Sequence, residues 1–138
     1  MKPGFRFTKA SRKRDRSMTA PIEISLPFPP SVNALFANVK GVGRVKTSAY
    51  RKWADEAGWS LAAQRPRGIA GAYEIEITAF RPDNRRRDLG NLEKGISDLL
   101  VSQGVVEDDS FAEKITLQWA TGGDGVRVIV KAFEREAA

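Results

Sequence analysis

Tyr73-Glu74-Ile75-Glu76-Ile77-Thr78-Ala79-Phe80-Arg81-Pro82-Asp83-Asn84-Arg85-Arg86-Arg87-Asp88-Leu89-Gly90-Asn91-Leu92-Glu93-Lys94 is the stretch whose reading decides the fold. Its first eight residues alternate polar and apolar, which predicts a half-buried strand. From Leu89 the period changes: Leu89, Leu92, Ile96 and Leu99 recur at helical spacing, and Asn91, Lys94 and Asp98 fall on a neighbouring face. A helix is therefore predicted from about Leu89 to Ser102, with Asp88 as its N-cap and Gly104 just past its end. A strand thus delivers the chain to an arginine-rich loop, and the loop opens a helix.

Guanidinium groups beside a carboxylate, a carboxamide and an ammonium group form an arrangement suited to phosphates. A second acidic run, Glu107-Asp108-Asp109, follows the helix after Val105-Val106, so the chain can return carboxylates toward the first group. Carboxylates converging in a chain without histidine suggest Mg²⁺ or Mn²⁺, hard cations that prefer oxygen ligands. Taken one residue at a time, a plainer reading stands beside this one. In it Asp88 only caps, Arg85 to Arg87 solvate a loop, and Glu107 to Asp109 make a turn.

The run Arg-Arg-Arg-Asp-Leu-x-Asn-Leu-x-Lys, the helix after it, Gly-Val-Val-x-Asp-Asp, and the upstream Leu26-Pro27-Phe28-Pro29-Pro30-Ser31-x-Asn33 together resemble the RusA family of Holliday-junction resolvases. The resemblance runs in the same order from about Ile22 to the last strand. It implies a Mg²⁺-dependent endonuclease (Mn²⁺ as a substitute) that acts as a homodimer, binds four-way DNA junctions and cuts paired strands in recombination and repair. It implies catalytic roles for Asp88, Lys94 and Asp109, with the metal on Asp88 and Asp109 and Asp108 as a further candidate. Phosphate contacts fall to Arg85, Arg86, Arg87, Asn91, Lys40, Arg44 and Lys46. No organic cofactor or membrane is implied, and the expected setting is the bacterial cytoplasm, nucleoid-associated, in a bacterial or phage-encoded protein.

One departure stands out. The family pattern has two aspartates separated by one residue, and here the second position is Gly90, which has no side-chain ligand to offer. The residues leave three accounts open: an inactivating change, a substitute carboxylate at Asp108 or Asp83, or a non-cleaving junction-binding protein on the same fold.

Composition narrows the rest. At 138 residues the chain has the length of a single domain. Its net charge of +6 is concentrated, because residues 1–17 hold seven Lys or Arg against Asp15 and the remainder is balanced. Residues 1–20 are expected to be a disordered basic extension ahead of a domain spanning 21–138, and that tail reads equally as a DNA-binding arm or as sequence upstream of a start at Met18. It lacks the apolar core of a secretory signal. The absence of cysteine and histidine excludes disulfides, structural zinc sites, thiol nucleophiles and imidazole bases.

Elsewhere, Ile22–Leu26 alternates like a strand, and Val32–Lys46 reads either as a glycine-containing hairpin loop or as a phosphate-contacting loop that closes over DNA. Ser48–Gln64 is predicted helical on the stripe Tyr50, Trp53, Ala54, Ala57, Leu61, with Trp53 and Trp59 both expected in the core. Lys114–Trp119 and Val126–Phe133 are predicted strands, joined as a hairpin by Gly122-Gly123-Asp124-Gly125. The order β-α-β-α-β-β makes an α+β domain, a mixed sheet carrying two main helices.

Overall fold

The computed structural model describes residues 20–30 and 36–134. The expectation of disorder over residues 1–20 falls almost wholly outside them, as does Asn33. Strand β1 (Ile22–Leu26) turns Ile22, Ile24 and Leu26 inward in strict alternation. The hairpin strands β2 (Phe36–Val39) and β3 (Gly43–Lys46) form a separate two-stranded sheet, and then helix α1 (Ser48–Gln64) follows. Next come β4 (Tyr73–Phe80), α2 (Glu93–Ser102), β5 (Ala112–Ala120) and β6 (Val126–Ala132). The fold is α+β, and its main sheet is mixed in the order β1-β6-β4-β5. The observed order adds the hairpin that the β-α-β-α-β-β reading left as loop; its tip is closed by Val42 N–H donating to Val39 O at 3.0 Å.

Strand β4 pairs antiparallel with β6 and parallel with β5. Parallel neighbours need a crossover, and α2 with its arginine-rich approach is that crossover. The expected β5–β6 hairpin is corrected here: β4 lies between the two strands, so residues 121–125 bridge across its end. Phe80 N–H donates to Gly125 O at 3.0 Å and Arg81 N–H to Ala120 O at 3.2 Å, which fastens the bridge to β4. Gly125 has a positive φ of 66° and a side chain there would collide with the Leu26 carbonyl, so glycine marks a close crossing rather than a hairpin turn.

Helix α1 is capped by Thr47, whose hydroxyl accepts from Tyr50 N–H at 3.1 Å. Its buried stripe is Tyr50, Trp53, Ala57 and Leu61, and Trp53 also donates from Nε1 to Pro27 O at 2.9 Å, which ties α1 to the exit of β1. Trp59 departs from the expectation and is 79% exposed. The reason is angular: two residues beyond Ala57 is a turn of about 200° at helical pitch, off the stripe.

The predicted helix Leu89–Ser102 is present in two parts. Leu89–Leu92 is a 3₁₀ turn capped by Asp88, and the α-helix begins at Glu93. It ends where expected, with Gly104 at φ 77° after Gln103. Leu92, Ile96, Leu99 and Leu100 are buried against the sheet with Ile75, Ile77, Val128 and Val130. Ile77 and Ile96 are wholly inaccessible. Truncating either to alanine would cost about 2–5 kcal/mol and loosen the crossover that carries the site.

Candidate active site

At the C-terminal end of β4 the chain leaves the sheet and the arginines begin. Asp83 organises them: its carboxylate accepts from Arg85 N–H at 2.9 Å, from Arg85 Nε at 3.2 Å and from an Arg87 terminal nitrogen at 2.9 Å. The Arg85 amide, then Arg87 and the Arg85 side chain, hold this carboxyl below its ordinary value. Two aromatic rings complete the support. Arg81 lies over Trp119 at 4.5 Å, Trp119 stacks with Phe28 at 6.2 Å, and Arg87 lies over Phe28 at 5.4 Å. Arg87 Nε is buried with no hydrogen-bond partner among the described residues. Arg86 is exposed and, among the described residues, has no ion-pair partner. Asp83, one of the two substitute metal ligands considered from sequence, is thus engaged with arginine.

Asp88 heads the crossover, its Oδ1 accepting from Gly90 N–H at 3.1 Å, and its carbonyl accepts from Asn91 N–H at 3.1 Å. Gly90 itself is exposed and its φ is ordinary. A Cβ added there would meet only Asp88 Oδ1, at 3.5 Å, which is normal contact. The backbone at position 90 therefore does not require glycine.

Lys94 Nζ bonds Asp98 Oδ1 at 3.1 Å. That bond raises the lysine pKa against a partial loss of hydration, with Asp98, Asp109 and Glu93 adding through their charge. The Glu93 carboxylate accepts from the buried Ser97 hydroxyl. Asp108 caps the 3₁₀ turn Asp109–Phe111 by accepting from Ser110 N–H at 2.9 Å, and its carboxyl is lowered first by that amide, then by the Ser110 hydroxyl and Asp109. Glu107 points elsewhere: its Oε1 accepts from Gly71 N–H at 2.7 Å. Tyr73, at the start of β4, is pushed up by burial first and then by Asp109, Glu93 and Asp108, so these acids act on one region.

A cleft of about 550 Å³ lies between α1, α2 and the turn before β5, and its walls include Lys46, Tyr50, Asp55, Asp98, Asp108 and Asp109. Lys46 reaches it from the hairpin with Nζ 5.4 Å from the Tyr50 ring. Lys40 is exposed at the hairpin tip, and Arg44 stands opposite Asn38 on β3. Of the residues expected at the site, Asp108, Asp109 and Lys46 line the cleft, and Lys94 is joined to its wall through Asp98 and feels the Asp109 charge. Asp88 is placed at the head of the 3₁₀ turn and does not line the cleft. Among the described residues, no three carboxylates converge closely enough to hold a metal ion. Of the donors expected for Mg²⁺, Asp88 and Asp109 with Asp108 as a further candidate, Asp108 and Asp109 line the cleft, and Gly90 adds no side-chain oxygen beside Asp88.

Sequence reasoning left Asp98 as one polar group on a helix face; its spacing of four from Lys94 was the available signal. Tyr50 was read only as part of the α1 stripe. The Phe28–Trp119 support joins β5 to the segment after β1, and no local pattern announces it.

What the fold and site define is an α+β domain whose crossover joins an arginine loop at one end of β4 to a carboxylate-lined cleft at the other. A family model described as Endodeoxyribonuclease RusA matches residues 27–131, and the chain belongs to the RusA family. Curated relatives agree. The crossover junction endodeoxyribonuclease RusA of Escherichia coli strain K12 is 34% identical over 87 residues, 63% of this chain and 72% of the relative. The proteins of that name from Enterobacteria phage HK97 and Aquifex aeolicus are 31% identical over 116 residues (81% of this chain, 93% of the relative) and 30% over 113 (79% and 87%).

Proposed function

We propose that the chain is an endonuclease of branched DNA that binds four-way junctions as a homodimer and cuts strands in pairs. The observation that carries this reading is the β4–β5 crossover, which holds within one continuous segment the arginine loop and the lysine that feels Asp109. Arg86 and the Lys40 to Lys46 hairpin contact phosphates without reading sequence. Lys94 sets positive charge beside the phosphoryl oxygens as negative charge develops there, and Asp109 orients water by accepting its hydrogen bond. Two sites related by a two-fold axis match two cuts in a symmetric junction, and closed C2 symmetry is the commonest way to supply them. Among the described residues no helix is long and apolar enough to cross a membrane.

A second reading, a junction-binding protein that does not cleave, is favoured by one feature: among the described residues no three carboxylates converge at a site whose position 90 is glycine. One assay separates the two. A synthetic four-way junction labelled on each strand is incubated with the full chain in EDTA, Mg²⁺ or Mn²⁺, and both retardation and nicking are scored. Paired symmetric nicks in a divalent metal support the endonuclease; retardation without nicks in all three conditions makes the chain a binder. Light scattering on the same sample should give twice the protomer mass.

A further inference from the structure

The Lys94–Asp98 pair is not explained by the helix that carries it. Lys94 sits in the first turn of α2, where a cation opposes the helix dipole. Lysine four residues before an acid is also the weaker orientation for helix stability. The pair is about half open to solvent on the lysine side, so screening leaves it little stabilising effect. Yet its place is specific. Asp98 is on the cleft wall with Asp108 and Asp109, and Tyr50 from α1 faces the pair, its phenol pushed up by burial first, then by Asp98, while Lys94 opposes. The groups that act on Lys94 are Asp98 and Glu93 on its own helix and Asp109 from the turn before β5.

We propose that Asp98 is the positioning residue for Lys94, holding the ammonium toward the Asp109 side of the cleft with its remaining donors free for a phosphate oxygen. An ammonium has three N–H donors, and one bond to Asp98 leaves two. Without this anchor a four-carbon side chain that is 46% exposed has many competing rotamers, and the charge spends little time at the cleft. The proposal rests on the endonuclease reading for its consequence but not for its geometry, and the test keeps the two apart.

The full chain, Asp98→Asn and Asp98→Glu are compared by three measurements: NMR titration of the Lys94 side chain, junction affinity in EDTA, and single-turnover cleavage across pH. Asp98→Asn should lower the lysine titration and cut the single-turnover rate by roughly 10- to 100-fold, the usual cost of losing a group that orients a functional one. Affinity should hold or tighten, because a negative charge has been removed. Asp98→Glu should restore part of the rate. An unchanged lysine titration in Asp98→Asn overturns the proposal, as does an unchanged cleavage rate or a loss confined to affinity. If the parent chain cuts nothing in either metal, the endonuclease reading fails and the Lys94 titration alone decides the pair.

Discussion

At the C-terminal end of β4, three arginines are fixed by one carboxylate and two aromatic rings. Where β5 begins beside Tyr73, at the strand's other end, Asp108 caps a turn and with Asp109 faces a cleft. The cationic end is built from side chains holding side chains, so its geometry is set before any ligand arrives. At the acidic end Asp108 holds a backbone amide and Asp98 holds Lys94, and among the described residues no three carboxylates gather round one centre. Pre-set donors suit binding, while dispersed carboxylates suit chemistry only once something gathers them. If the proposed function holds, the difference predicts that junction binding and cleavage can be lost separately.

The largest effect expected is therefore at position 90. Gly90→Asp places a carboxylate beside Asp88 in space that is already open, and should raise Mg²⁺-dependent cleavage by about 10- to 100-fold. Mn²⁺ binding followed by electron paramagnetic resonance should strengthen in parallel, and Asp109→Asn should erase both gains. The new acid will not hold Lys94, which is committed to Asp98 on the α-helix proper while position 90 lies in the 3₁₀ turn. If the parent chain already cuts as fast as the variant, the acidic end is complete without position 90 and the contrast between the two ends collapses.

Next in size is Trp119→Ala, which removes the ring on which Arg81 and Phe28 rest. Half-buried rather than core, it should cost about 2–3 kcal/mol in urea unfolding from lost packing and cation–π contact. Junction affinity should fall with it. A variant that loses stability but keeps full affinity would show that the aromatic support does not preorganise the arginines.

Arg86→Ala is smaller and more selective. Because Arg86 is exposed and free of Asp83, it should weaken binding equally for junctions of different sequence and reduce the salt slope by about 1. Arg85→Ala should do less, since that guanidinium is already paired. Equal slopes for the two variants would mean that DNA releases Arg85 from Asp83.

How much of this could be read beforehand follows the same division. The β4 strand, the cap at Asp88 and the stop at Gly104 were legible because period and capping are local, and the resemblance named the family from motifs that lie in order along the chain. The β5–β6 hairpin was misread because four turn residues look alike whether they join neighbours or bridge over an intervening strand. Trp59 was misplaced by a prior about tryptophan that the α1 stripe, counted residue by residue, would have corrected. Asp83's partners lie two and four residues away, within reach of sequence reasoning, whereas the Phe28–Trp119 stack is a product of the finished sheet.

The smallest effect expected is at Asp83, and acid should reveal it. The Arg85 amide, Arg87 and the Arg85 side chain hold the Asp83 carboxyl below its ordinary value, so the order it lends the loop is fully present above the ordinary carboxylate range. That order is lost only as pH falls beneath it, through the lowered folded value. The loop should therefore be indifferent to pH between 7 and 5, estimated against a free Asp of about 3.9, and should loosen at lower pH. The readout is the Arg85 amide and Arg87 Nε resonances, which should move together with a midpoint below that of a free aspartate. Asp83→Asn should remove the transition while its carboxamide oxygen still accepts from the Arg85 amide. Asp108 is lowered too, but by the Ser110 amide first, so its titration should appear on the Ser110 resonance and survive Asp83→Asn unchanged. Should the Ser110 titration move in the variant, the ends of β4 are electrostatically joined, and the separation of binding from cleavage would have to be abandoned.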